Sequence, residues 1–301
     1  MSMDTNKNLY TVIYATVLVV LVAAILAFVA SSLKSKQQKN IDIEKQMSLL
    51  KAVGLAEEAE AQADKTTYIE NEFAKYMTSS LLVNYKGEAS EEIKSDASDK
   101  EGIVKSPAFK IDLKAQYDLM KEIAAAPEEQ KEALSAKLQL PVFECTLASG
   151  EKLYLFSCYG AGLWGPIWGY VAVNDDFNTV YGASFGHKSE TPGLGAEIST
   201  DKFGQQFAKK QLFDNSTFTS INIMKGGATP GSLHEVDAIS GGTITSKSLD
   251  ATIKNWLEFY LPYIEKCKKA AAEAKIMQEQ AISAQADSLG VNNSVDSLTI
   301  K

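Results

Sequence analysis

The longest apolar stretch of the chain runs from Tyr10 to Ala30 without a charged residue, inside an uncharged segment from Asn8 to Leu33. About 20 apolar residues in a helix, each rising ~1.5 Å, span a bilayer core of about 30 Å. A cleaved signal peptide is the alternative, but its apolar region is usually only about 7–15 residues long. The pattern therefore predicts one uncleaved transmembrane helix at residues 10–30, after a tail of residues 1–9.

Residues 31–140 are predicted to form a helical stem and an insert. Apolar residues recur there at three- and four-residue spacing, at Ile43, Met47, Leu50 and Val53. Gly54 follows as a candidate C-cap. The segment from Glu57 to about Lys105 has few apolar residues outside YIENEFAKYMTSSLLV, and predicts a helix and a surface loop. IDLKAQYDLMKEIAAA and PEEQKEALSAKL predict two more helices, the second opened by Pro127.

The pattern changes near Pro141 to short runs of aromatic and β-branched residues, namely VFECTL, KLYLFSC, IWGYVAV and TVYGASFG. Turn-forming residues separate them, as in an antiparallel meander. A helix from about Lys202 to Lys210 and a strand at SINIMK follow. A last helix, from about Ser246 to Cys267, has one apolar face formed by Leu249, Ile253, Trp256, Leu257, Tyr260, Leu261 and Ile264.

These elements predict an α+β protein, with one transmembrane helix followed by one domain with a mainly antiparallel twisted sheet and flanking helices. Residues 141–267 form the main part of that domain. The tail, residues 268–301, begins with good helix formers, and its last ~12 residues are expected to be disordered.

Composition excludes two classes of function. With 38 acidic and 30 basic residues the net charge is -8, and no dense Lys/Arg patch offsets it, so a nucleic acid partner is not expected. The three cysteines are far apart without metal-ligand spacing and the chain has only two histidines, so no metal site is expected. The cysteines are expected to be buried thiols, with one disulfide as the alternative.

The stretch DAISGGTITSKSLD, residues 237–250, is the first candidate for chemistry. It ends in the last predicted helix, whose N-terminus carries unpaired N–H groups and about half a positive charge. Its glycines let backbone amides approach a ligand, so a phosphate would fit. The alternative is a plain helix cap at Thr245 or Ser246. No GK[ST] follows, so the stretch is not a P-loop.

Two other stretches are candidates. GLWGPIWGYVAV places Trp164 and Trp168 among glycines, which suits either a flat ring or the core of a strand. In HKSETPGLGAEI, Thr191-Pro192-Gly193 predicts a tight turn with Gly193 at positive φ. His187 and Glu190 beside that turn are open to two interpretations, an acid/base pair or two surface residues.

Taken in order, GLWGPIWGYVAV, ETPGLGAEI and KGGATPGSLHEVDAISGGTITS, preceded by the apolar helix and KQQKNIDIEKQMSLLKAVGL, resemble the family of C subunits of Na+-translocating NADH:quinone reductases. The match extends to about Leu261, with a less familiar insert between about Glu57 and Pro141. Several motifs in a fixed order are more specific than any one of them.

The resemblance implies a covalent FMN and an FMN-binding domain at residues 141–267. In this family a flavin transferase takes FMN from FAD and attaches it to the last hydroxyl residue of D-x-x-[ST]-G-A-[ST]. The motif places Asp237 first, Ser240 and Gly241 inside, and Thr243 at the attachment point. Gly242 stands where the family has Ala, which removes a methyl group and loosens the loop. Thr245 is the alternative attachment residue, although its hydroxyl is expected to point into the helix cap.

By the same resemblance, other residues would contact the flavin or its phosphate, namely Glu190, Thr191, Gly193, Leu194, Gly195 and Trp164, with Trp164 along the isoalloxazine ring. The protein would relay single electrons as part of a complex and would not be catalytic alone. Other subunits of the membrane complex and, during maturation, the flavin transferase are the expected partners. Ion transport is expected to belong to those subunits, because one uncharged helix offers no polar path.

Localisation rests on conflicting signals. Lys7 precedes the apolar helix and three lysines follow it, at Lys34, Lys36 and Lys39, which weakly favours a cytoplasmic domain. The resemblance implies the inner membrane with the soluble domain in the periplasm, and we give it more weight. Two alternatives in function remain open, the flavin-bearing subunit of the ion-translocating ferredoxin:NAD+ oxidoreductase and a membrane-anchored binding module with no redox role.

Overall fold

The computed structural model describes residues 8–290, which fall into two units that divide between Lys45 and Gln46. The first unit consists of the greater part of helix α1, Asn8–Ala52. An 18-residue window of this helix has a mean hydropathy of 3.0 and no buried residue, so α1 is long and apolar enough to cross a membrane. The predicted apolar helix is confirmed, and the polar stem continues it.

The second unit contains a six-stranded antiparallel sheet in the order β2-β1-β3-β4-β5-β6. Its strands are β1 (Met77–Val83), β2 (Ile93–Lys94), β3 (Leu140–Thr146), β4 (Lys152–Ala161), β5 (Pro166–Asn174) and β6 (Val180–His187). The last four form the predicted meander, with Phe156 of β4 opposite Val142 and Val171 on its two neighbours. The predicted α+β fold with a mainly antiparallel sheet is confirmed.

The other elements flank this sheet. The helices are α2 (Lys65–Tyr76), α3 (Gly102–Lys105), α4 (Pro107–Lys110), α5 (Leu113–Ala125), α6 (Glu128–Ser135), α7 (Asp201–Gln205) and α8 (Thr243–Gly290). The short strands are β7 (Phe213–Asp214), β8 (Thr217–Phe218), β9 (Asn222–Met224) and β10 (Glu235–Asp237), with β9 and β10 parallel. The predicted helix from about Lys202 to Lys210 is shorter in the structure.

Helix α8 covers one face of the sheet with the predicted apolar stripe. Its residues Leu249, Ile253, Trp256, Leu257, Tyr260 and Ile264 are buried, and Leu261 is half-buried against the same cluster. The Trp256 indole N–H donates to the Tyr159 carbonyl at 2.6 Å, and the Tyr260 hydroxyl donates to the Pro141 carbonyl at 2.7 Å. These two hydrogen bonds attach α8 to β4 and β3, and so help to fix the position of its N-terminus.

Part of the insert, with α2 and α4, covers the opposite face, while α5 packs beside α8. Phe143 of β3 contacts the Phe109 ring with centroids 6.4 Å apart, and Phe109 contacts Phe73 of α2 at 5.9 Å. All three rings are buried. The prediction of only a helix and a surface loop here was wrong, because MTSSLLV continues as strand β1 and pairs with β3. The sheet therefore uses chain from both sides of Pro141.

The ends of α1 and α8 bear on two further predictions. Gly54 has φ of 71° two residues after α1 ends, as expected of a C-cap. Helix α8 begins at Thr243 and continues through Pro262 to Gly290, further than the predicted end at Cys267. The predicted disorder of the last ~12 residues lies almost entirely outside the described residues.

Candidate functional site

The candidate site begins at the first turn of α8. The Ser246 amide donates to the Gly242 carbonyl at 2.9 Å, which makes Gly242 the cap residue and Thr243 the first helical residue. The alternative that the sequence left open, a cap at Thr245 or Ser246, is not what the structure shows. Thr243 is half-buried, and no hydrogen bond to its hydroxyl occurs within residues 8–290. The site therefore presents an accessible hydroxyl at the positive end of a long helix.

Thr245 lies two residues further and is in a different environment. It is 1% exposed, and its hydroxyl donates to Glu190 Oε2 at 2.7 Å. The expectation that this hydroxyl points into the helix cap was wrong, because it is directed across to another loop. The Ser246 hydroxyl accepts from the Ile239 amide at 3.1 Å and so closes the turn before α8.

Glu190 connects the three candidate stretches. It is only 4% exposed, and its second oxygen, Oε1, accepts from the Trp164 amide at 2.9 Å. One carboxylate thus joins the Trp164 loop (residues 162–165), the Glu190 turn (residues 190–195) and the first turn of α8. Ser189, which the sequence did not single out, adds a hydrogen bond of 2.6 Å from its hydroxyl to the Trp164 carbonyl.

The Glu190 turn packs against the start of α8 without space for a side chain at its last position. A Cβ at Gly195 would lie 2.4 Å from Thr245 Oγ1 and 2.6 Å from Glu190 Oε2. Gly193 has φ of 75°, so the predicted tight turn with Gly193 at positive φ is confirmed. Thr191 and Leu194 are exposed.

The glycine–threonine loop, residues 237–243, lies directly against this turn. Gly241 has φ of 73°, and a Cβ there would lie 2.5 Å from Leu194 Cδ2. At Gly242 a Cβ would lie 3.0 Å from Ile239 Cγ2 and 3.3 Å from the Gly195 nitrogen. The alanine that the resemblance leads one to expect would therefore fit only after a small shift, and glycine fits without one.

Asp237 is the first residue of this loop, and its hydrogen bonds connect the loop to neighbouring segments. It is exposed, and its Oδ1 accepts from the Ala228 amide at 2.7 Å, while its own amide donates to the Gln206 side chain at 2.8 Å. Asp237 therefore holds the preceding glycine-rich loop. Ser240, between Asp237 and the two glycines, is exposed.

A cleft and several exposed apolar side chains surround the Thr243 end of α8. The cleft has a volume of about 450 Å³, and its lining includes Gly193, Phe203, Asp237, Ile239 and Ser240. The exposed apolar side chains are Leu163, Trp164, Leu194 and Ile244, with Trp164 65% exposed. A helix N-terminus, a free hydroxyl and apolar side chains suit a ligand with both a phosphate and a flat ring.

The other chemical possibilities are not supported by the geometry. The Glu190 amide donates to His187 Nδ1 at 3.3 Å, and the Glu190 carboxylate is committed elsewhere, so the two side chains do not form an acid/base pair. All three cysteines are free, and burial raises the pKa of Cys145 and of Cys158 to about 12, so neither is a thiolate at neutral pH. No cluster of metal-ligating side chains occurs in the described part of the chain.

Comparisons with known proteins agree with this geometry. A family model described as an FMN-binding domain matches residues 162–258. The C subunit of the Na(+)-translocating NADH-quinone reductase of Vibrio anguillarum is 30% identical over 257 residues, which is 84% of this chain and 92% of the relative. The residues matched by the family model, 162–258, include all three motifs.

Two crystal structures are similar in fold. The C subunit of the Na(+)-translocating NADH-quinone reductase of Parabacteroides distasonis is 33% identical with a TM-score of 0.58, over 77% of this chain and 96% of that one. NqrC of Shewanella oneidensis is 26% identical with a TM-score of 0.53, over 75% and 99%. The resemblance inferred from the motifs is thus confirmed by both sequence and structure.

Proposed function

Since the chain belongs to the family of C subunits of Na+-translocating NADH-quinone reductases, we propose that FMN is attached to it by a phosphodiester at Thr243. In this proposal the protein relays single electrons between neighbouring carriers of the complex. FMN would supply one-electron transfer when bound. In this proposal the flavin carries the electrons, and the subunit has no catalytic activity alone.

The difference between Thr243 and Thr245 is the observation that carries the assignment. The Thr243 hydroxyl is accessible and unpartnered among the described residues, whereas the Thr245 hydroxyl is buried and bonded to Glu190. A modifying enzyme can reach the first without disturbing the fold. Reaching the second would break a buried bond to a carboxylate, which costs roughly 1.5–3 kcal/mol.

The residues around Thr243 fit the two ends of FMN. The amides of the first turn of α8 are suited to hold the phosphate, with the helix dipole favouring its charge. Trp164 and Leu194 offer exposed apolar surface for the ring. Gly193 lines the cleft, and Thr191 is exposed in the same turn, so both are assigned to contact the flavin. Glu190 and Gly195 are assigned to support these loops, since both are buried.

Attachment requires a separate enzyme in this proposal. No base among residues 8–290 hydrogen-bonds the Thr243 hydroxyl, so this part of the chain offers no group positioned to activate it. We propose that a flavin transferase recognises the glycine–threonine loop, starting at Asp237. The remaining partners are the other subunits of the reductase complex.

The membrane orientation is also part of the proposal. We infer a single pass through the inner membrane by α1, with the second unit in the periplasm. C-terminal reporter fusions test it: alkaline phosphatase should be active and a cytoplasm-only reporter inactive. The opposite result would place the domain in the cytoplasm, as the lysine count favours.

Denaturing electrophoresis under ultraviolet light tests the attachment. Full-length protein co-expressed with the flavin transferase should give a fluorescent band. Thr243→Ala should abolish the fluorescence and Thr243→Ser should retain it. Thr245→Ala should still become fluorescent, although more slowly, because its attachment residue is intact. Thr252→Val, which removes a hydroxyl bonded to Ser248 of the same helix, is the matched control and should be as fluorescent as wild type. Mass spectrometry of the tryptic peptide that carries Thr243 should show the added FMN phosphoryl group.

A dark wild-type band under these conditions would contradict covalent attachment. A Thr243→Ala band as bright as wild type, together with a dark Thr245→Ala band, would move the attachment to Thr245.

A further inference from the structure

The buried contacts of Glu190 do not suit a flavin ligand. Both carboxylate oxygens are engaged with the protein, Oε1 with the Trp164 amide at 2.9 Å and Oε2 with the Thr245 hydroxyl at 2.7 Å. With 4% of its surface exposed, the side chain lies beneath the loops that surround Thr243.

We propose that Glu190 is the positioning residue of the site, and that it holds the Trp164 loop and the first turn of α8 in register so that the Thr243 hydroxyl is presented for attachment. This inference rests on the proposed function, because Thr243 is the group being presented. It differs from a flavin-contact role, since Glu190 acts only through Trp164 and Thr245.

The spacing of the glycines supports this role. A Cβ at Gly162 would lie 2.4 Å from Glu190 Oε1, and a Cβ at Gly195 would lie 2.6 Å from Oε2. Glycine on both sides of the carboxylate lets backbone from two loops close around it. The negative charge also lies beside the third residue of α8, where it is favourable to the helix dipole.

The hydrogen bonds define which substitutions should matter. Gln at this position can keep both bonds, because its amide oxygen can accept from Trp164 and its NH₂ can donate to a rotated Thr245 hydroxyl. Ala loses both bonds. Thr245→Val removes one bond with little change of shape, while Thr245→Ser keeps it. Thr252→Val is the matched control, since that buried threonine donates to the Ser248 carbonyl of its own helix and does not contact Glu190 by a hydrogen bond within residues 8–290.

Two measurements on the full chain in detergent test the proposal. The first is amide hydrogen exchange of unmodified protein over residues 162–165 and 239–246, which does not depend on flavin. The second is the initial rate of flavin incorporation at limiting flavin transferase. Glu190→Ala and Thr245→Val should exchange faster in both segments and incorporate flavin roughly tenfold more slowly or worse.

Glu190→Gln, Thr245→Ser and Thr252→Val should stay within about threefold of wild type in both measurements. The proposal is overturned if Thr245→Val matches wild type in both, or if Glu190→Gln is as impaired as Glu190→Ala. Thr245→Val keeps the test decisive should Glu190→Ala fail to fold. If wild type takes up no flavin at all, the proposed function is wrong. Hydrogen exchange then tests by itself whether Glu190 holds the Trp164 loop and the first turn of α8 together.

Discussion

Replacing Gly195 by Ala should disrupt the contact between the Glu190 turn and α8. The new methyl carbon would start 2.4 Å from Thr245 Oγ1 and 2.6 Å from Glu190 Oε2, between the two atoms of a buried hydrogen bond. Neither atom can easily move, because Thr245 is fixed on α8 and Glu190 is also bonded to Trp164. The bond must therefore lengthen or break.

The expected loss of unfolding free energy follows from these contacts. A hydrogen bond to a charged group contributes roughly 1.5–3 kcal/mol, and overpacking costs roughly 1–3 kcal/mol. Alanine has less conformational freedom than glycine in the unfolded chain, which offsets about 0.4–1 kcal/mol of this loss. We expect a net loss of about 3 kcal/mol. Gly193→Ala is the control: its φ of 75° brings backbone strain, but no atom lies within 4 Å of the new Cβ, so about 1 kcal/mol is expected.

Denaturant unfolding of the full chain in detergent measures these differences, and a double-mutant cycle with Thr245→Ala identifies their source. If the methyl group added by Gly195→Ala acts through Thr245, the double mutant should be less destabilised than the sum of the two single mutants, by about 1 kcal/mol or more. Additivity within about 0.5 kcal/mol, or a Gly195→Ala effect no larger than that of Gly193→Ala, would refute the reasoning.

Three further predictions concern the rest of the domain. Gly242→Ala should still accept flavin and change the unfolding free energy by less than about 1 kcal/mol, because Ile239 need shift only a few tenths of an ångström; a dark band on an ultraviolet gel would contradict this. Trp256→Phe should cost about 2–3 kcal/mol in denaturant unfolding, since it removes both the hydrogen bond to the Tyr159 carbonyl and part of a fully buried ring; a loss under about 1 kcal/mol would show that this bond does not hold α8. Burial raises the pKa of Cys158 from 9.0 to about 12, so between these values the folded state retains a proton that the unfolded state releases. The unfolding free energy should therefore fall as pH rises above about 9, less steeply in Cys158→Ala, and equal slopes would exclude this thiol as a cause.

Much of the fold followed from local patterns. The apolar run of α1, the alternating strands β3 to β6 and the stripe on α8 are each visible within one window of sequence, because helix and strand periods place their apolar residues on one face. Strand β1 was missed because no glycine or proline separates it from α2, and MTSSLLV has no clear alternation. Only its pairing with β3 makes it a strand.

The site was predictable in a different way. The order of motifs singled out Thr243, Gly193 and Trp164 as candidates, but it did not indicate the contacts of Glu190, whose partners lie 26 and 55 residues away along the chain. A carboxylate in ETPG has no local feature that separates a buried support from a surface residue. That difference depends on the packing of α8 against β4, which brings Thr245 to the Glu190 turn.

The edge of the sheet at β2 affects how copies of this protein behave towards one another. Strand β2 is only two residues long and ends in the exposed Lys94, so it offers a second copy almost no unpaired backbone. Without β1 and β2, the seven-residue strand β3 would be an open template for intermolecular pairing. We therefore expect the insert to prevent pairing between copies at this edge, and deleting residues 77–94 should produce aggregates detectable by light scattering.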